Sequence, residues 1–201
     1  MEQLGERSVN SGEASEDEPE SIRSAPEIAR RAIALFGVVG VGLGADRDEV
    51  LQWLTAEGLD DSLTPRERVM LEGPAPSPKQ LLNAGWQSEA LLMLLWALKR
   101  IDDLPGPDTQ CDMEAWQALL PPYTDEPVSE FIGNAVRRDD DTLIGMADEI
   151  LDLHWQARNA ALHERAESTN VDIEIIQERH WGINWVIGYD GAPWDEVTTD
   201  T

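Results

Sequence analysis

Cysteine is almost missing from this chain. Cys111 stands alone among 201 residues, so no internal disulfide can form and no zinc site can be built on paired cysteines. Lysine is nearly as scarce: Lys79 and Lys99 are the only two, and 15 basic residues face 40 acidic ones for a formal net charge of -25. Such a field serves solubility and repels phosphate backbones and anionic lipid headgroups. It argues against nucleic acid and membrane surfaces as partners and leaves a basic protein as the possible one. A long apolar run is lacking too, since the longest uncharged stretch, Ala32–Ala45, falls short of the ~18 residues that suggest a membrane span. The opening MEQLGERSVN holds no apolar segment of the signal-peptide kind, and a cytoplasmic location is expected. Composition sets no oligomeric state.

Against these absences stand eight tryptophans and a hydrophobic content of 41%, enough to bury a core in a chain whose length suits one domain. Met1–Arg23, rich in Glu, Ser and Gly and containing EASEDEPE, reads as a disordered acidic tail. Residues 24–201 read as a single helical domain. Ser24 with Glu27 forms a capping box for a helix running towards Gly44, and Thr64 with Glu67 and Ser77 with Gln80 repeat the signature. Asp46, Asp112, the Asp139–Asp141 run and Asp172 cap further helices, the longest from about Thr142 to Glu164, and Gly188 ends the last. The spacing is helical in every segment long enough to judge, with the C-terminal tail the one place where a strand could be read, so the expected fold is an all-α bundle of about six to eight helices. QLLNAGWQSEALLMLLWALKRI reads as one long element, apolar on all sides from Ala90 to Leu98 and therefore central to the bundle.

GVVGVGLG, at Gly37–Gly44, resembles a phosphate loop only superficially. Its spacing is GxxGxGxG and the residues before it are helical, whereas a dinucleotide loop needs GxGxxG after a strand. Close helix packing or a frayed helix end explains the glycines better.

Projected at about 100° per residue, the last helix aligns Ile173, Ile176, His180, Ile183 and Ile187, with Asn184 at the edge and Trp181 and Trp185 on a second face expected to be buried. The preceding helix aligns Leu143, Ala147, Ile150, His154, Ala157 and Ala161, with Arg158 one step aside. Glu89 projects inward beside Leu82, Leu92, Met93 and Trp96, and a buried carboxylate requires an Arg or His partner. Two roles suit these groups. They are core polar residues that fix helix register, or Glu89, Glu178, His154, Arg158, His180 and Asn184 converge in one pocket able to bind an anion or move a proton. No metal and no cofactor are expected: His154 and His163 are out of phase, no HxxxH pair occurs, and Asp195, Glu196 and Asp200 lack a calcium-type loop.

RRAIALFGVV, the WxxEALxxLLWAL pattern from Trp86 to Leu98, LDLHWQARNA and the closing ERHxxxNW…WDxVxTDT from Glu178 to Thr201 together resemble the bacterial family called domain of unknown function 4272, over Pro26–Thr201. The resemblance implies a mainly helical, cytoplasmic, single-domain protein and brings no activity with it. The Gly-rich first helix departs from the family pattern, and the acidic leader is expected to lie outside it. Three functions follow as expectations. The first is a non-enzymatic interaction or regulatory protein. The second is a small-ligand (anion) binder or enzyme using a His154/His180 pocket. The third is an acidic neutraliser of a basic toxin or nucleic-acid-binding protein.

Overall fold

Helix caps written in the sequence become the element boundaries of the structure, a computed structural model that describes residues 21–163 and 170–200. The helices are α1 (Ala25–Gly42), α2 (Arg47–Ala56), α3 (Pro65–Glu72), α4 (Pro78–Trp86), α5 (Ser88–Ala97), α6 (Met113–Gln117), α7 (Val128–Gly133), α8 (Asp140–Leu162) and α9 (Ile173–Ile187). Short 3-10 turns cover Asp60–Ser62, Tyr189–Gly191 and Trp194–Glu196, and no strand occurs among the described residues. The fold is all-α. Of the expected tail, Met1–Glu20 lies outside the described residues, as does Glu164 at the expected end of α8. The last three tail residues are not loose: Arg23 donates from its backbone to Val186 O at 2.9 Å and from its guanidinium to Ala192 O at 3.0 Å.

The expected long element over residues 80–101 divides at Gln87 into α4 and α5. Every residue of α5 is buried, including Ser88 and Glu89. It is the central rod, packed against α9 on one side and α1 on the other, while α8 covers the far side of α9 and α2, α4 and α7 surround α1. Fully burying each of Leu91, Leu92, Leu94 and Leu95 stabilises the fold by roughly 1.5–3 kcal/mol.

Glycines permit two close helix contacts. A Cβ on Gly182 of α9 would stand 2.8 Å from Ala90 O and 3.0 Å from Met93 Cβ of α5. One on Gly42 would strike the Ala84–Gly85 backbone, so the Gly-rich stretch serves the α1–α4 contact. Gly188 ends α9 at φ 73°, a left-handed conformation that glycine adopts without steric cost. Trp194 then folds back at 4% exposure and meets Trp185 edge-on, ring centroids 5.5 Å apart, pinning the C-terminal segment to the bundle. No helix among the described residues is long and apolar enough to cross a membrane.

Candidate functional site

Glu89 enters the core because the surrounding residues of α5 leave no solvent-facing side for it. Its partner is Arg179 of α9, whose Nε donates to Oε2 at 2.9 Å, while Cys111 N donates to Oε1 at 2.6 Å. The rest of the guanidinium is spent on a loop: Nη1 donates to Pro105 O at 2.8 Å and Nη2 to Thr109 O at 3.1 Å. A fully buried ion pair whose remaining hydrogen-bonding groups are satisfied in this way is a structural clamp. Burial, and after it the Glu89 charge, pushes the neighbouring Cys111 thiol up to about 12, so it carries no nucleophilic thiolate.

His154 and His180 do meet. Their Nδ1 atoms lie 3.0 Å apart across the α8–α9 interface, with the rings at 88° to each other. One ring donates and the other accepts, which requires opposite tautomers. Both residues are 2% exposed. Burial, followed by the nearby Arg158 charge, holds His154 below the usual histidine range; burial, followed by His154, lowers His180 to about 4. The pair is therefore neutral at physiological pH.

The remaining candidates sit elsewhere. Arg158 is on the exposed side of α8, and Asn184 is buried with its Nδ2 donating to Thr198 O at 2.9 Å. Glu178 faces a cleft. The expected single pocket is thus divided: Glu89 sits in a clamp, His154 and His180 in an imidazole pair, Glu178 at a cleft, Asn184 against the C-terminal segment and Arg158 at the surface.

That cleft, of about 520 Å³, opens between α3, α4, α9 and the Trp194 turn. Trp181 and Trp194 form aromatic wall and Val38, Met70 and Ala84 apolar floor, while the polar lining joins Glu178, Asp195 and Glu67 to Arg66 and the amides of Gln80, Asn83 and Gln87. Trp181, expected in the core, is only half-buried because this side of α9 borders the cleft. Burial, with Glu89 second, raises the Glu178 carboxyl to about 7. The Gln87 side-chain oxygen is buried and accepts no hydrogen bond among the described residues. Asp195 Oδ2 accepts from Arg66 N at 3.1 Å, tying the C-terminal turn to the start of α3. Glu67, the capping-box residue of α3, accepts both Arg31 Nη1 at 3.1 Å and Nη2 at 2.6 Å, and the Arg31 guanidinium lies 4.9 Å from the Trp194 ring centre.

A second cleft of about 630 Å³ adjoins the first, sharing Pro65, Arg66, Trp194 and Asp195. It adds Arg23, Arg30 and Arg31 together with Glu27, Asp61 and Glu196, and the buried Nε of both Arg23 and Arg31 donate to nothing among the described residues. Neither cleft is lined by an imidazole. No group of three or more His, Cys, Asp or Glu side chains among the described residues is placed to hold a metal ion.

A family model described as Domain of unknown function (DUF4272) matches residues 12–197. The chain belongs to the DUF4272 family. The match starts ahead of Pro26, so part of the acidic leader falls inside the family's extent rather than outside it. No curated protein and no solved structure matches this DUF4272 chain. In its closing pattern, Glu178, Trp194 and Asp195 line the first cleft, whereas Arg179, His180 and Asn184 are buried in the bundle. Sequence reading found Glu178 but not Gln87, Trp181 or Arg31 as site residues. The one signal toward Arg179 was the need of buried Glu89 for a cationic partner.

Proposed function

We propose that this DUF4272 protein is a non-enzymatic, soluble interaction protein that takes a cationic side chain of a basic partner into the first cleft. One observation carries the reading: the carboxylates of Glu178 and Asp195 and the half-buried Trp181 ring line the cleft, with Arg66 the single cationic side chain among its lining residues. Donor-rich cations satisfy such groups, and indole faces attract them further. The net charge of -25 favours the encounter.

Isothermal titration calorimetry with an arginine-bearing peptide and its glutamate counterpart tests the proposal. The cationic peptide binds, and Glu178→Gln or Asp195→Asn weakens it at least tenfold. Because Glu178 must ionise to pair, affinity rises about tenfold from pH 6 to pH 8. Removing one acidic group of 40 hardly changes the overall field. Binding that ignores Glu178→Gln but collapses with salt would instead support a neutraliser acting through bulk charge. No binding, or equal binding of both peptides, refutes the cleft.

The second cleft supports a second reading. Arg23, Arg30, Arg31 and Arg66 bring four guanidinium groups to its wall beside Glu27, Asp61, Asp195 and Glu196, and a small anion seated among the arginines moves the anion-binder hypothesis away from the histidines. The same calorimetry with inorganic sulfate, on the wild type and on Arg30→Ala, decides it.

A further inference from the structure

α8 is the outermost long helix, seated on α9 by one side only of its surface, and its solvent side is unexpectedly apolar. Ile144, Leu151, Trp155 and Leu162 are 46%, 39%, 55% and 80% exposed. Single exposed apolar residues are ordinary. These four are not scattered: at about 100° per residue they fall within a strip of roughly 40°, on a segment about 27 Å long.

The strip also has a twofold pattern. Ile144 and Leu162 stand equally far on either side of Leu153, and so do Leu151 and Trp155. The two charges nearest the strip obey the same rule with opposite sign, since Asp148 and Arg158, both exposed, are also equidistant from Leu153. An antiparallel copy of α8 related by a dyad level with Leu153 therefore sets Ile144 beside the partner's Leu162, Leu151 beside the partner's Trp155, and Asp148 level with the partner's Arg158. Each contact occurs twice, as an isologous interface requires. The guanidinium is long enough to reach across a seam of 8–10 Å, the usual separation of packed helix axes. A parallel pair would place Asp148 against Asp148 and Arg158 against Arg158.

We infer that α8 is a homodimer interface, with a second copy of this chain packed antiparallel along Ile144, Asp148, Leu151, Trp155, Arg158 and Leu162. One helix pair is smaller than the roughly 1,200–2,000 Å² of standard stable complexes, so the dimer is weak, with a Kd on the order of tens of micromolar. At physiological salt the Debye length of about 8 Å confines the mutual repulsion of the two acidic molecules.

Sedimentation equilibrium of the full chain in 150 mM salt is the test. The wild type shows a reversible monomer–dimer equilibrium. Leu151→Asp, at a surface position that leaves helical circular dichroism unchanged, abolishes it. Asp148→Arg and Arg158→Asp each weaken it by about tenfold through like-charge opposition, and the double reversal restores it to within about twofold. Mixed Ile144→Cys and Leu162→Cys proteins cross-link to each other under mild oxidation, whereas Ile144→Cys alone does not. A wild type that stays monomeric at millimolar concentration overturns the inference. So does a dimer indifferent to Leu151→Asp, or single charge reversals that the double reversal fails to rescue.

Discussion

At the residue scale, the decisive groups are the buried ones that carry charge or would carry it. Glu89 and Arg179 are 0% and 2% exposed, and the ion pair survives because their remaining hydrogen-bonding atoms meet Cys111 N and loop carbonyls. Removing one partner leaves an uncompensated charge in the core. Glu89→Gln or Arg179→Met is therefore expected to cost about 3–5 kcal/mol in urea denaturation. The paired Glu89→Leu/Arg179→Met variant loses less than the sum, and a purely additive result would contradict the clamp.

At the scale of elements, helix proximity is set by side chains that are missing. α9 reaches α5 at Gly182, where a methyl group would overlap Ala90 O, whereas nothing lies within 4 Å of a Cβ built on Gly145 of α8. Gly182→Ala is expected to destabilise by about 1–3 kcal/mol through overpacking. Gly145→Ala is expected to stabilise by up to about 1 kcal/mol through helix propensity. Denaturant midpoints that move in the same direction for both would contradict this account of the α5–α9 crossing. The caps were legible beforehand, since Ser24, Thr64, Ser77 and Asp172 each stand one residue ahead of a helix. The break at Gln87 was not, because its backbone stays close to helical (φ -61°, ψ -5°) and no Pro or Gly stands at that position.

For the whole molecule, two buried groups oppose each other as pH changes. His180 has its folded value lowered to about 4, from an ordinary 6.5, so the unfolded chain binds the extra proton and stability falls as pH drops through that window. Glu178 has its folded value raised to about 7, from an ordinary 4.5, so its contribution is fully present below about 4.5 and is lost as pH rises through 7. The two slopes offset each other between about pH 4.5 and 6.5. Glu178→Gln removes one of them, and its stability relative to wild type should decline by roughly 2–3 kcal/mol on going from pH 7 to pH 4.5. His180→Phe should show the opposite trend relative to wild type. Parallel pH profiles for all three proteins, followed by tryptophan fluorescence in urea, would refute the opposition.

The sequence by itself determined the helices, their caps and the inward direction of Glu89, His154 and His180, because capping chemistry and a 3.6-residue period act within a few positions of the chain. It also carried the demand for a cation beside Glu89, which follows from the cost of burying a lone carboxylate. Only the tertiary structure decided that the candidate residues fall into separate settings. It alone brought Gln87, Glu178, Trp181 and Asp195 to one cleft. Those residues lie on segments far apart in the chain, and their meeting depends on helix crossings fixed by contacts such as Gly182 on Ala90, which no local periodicity encodes.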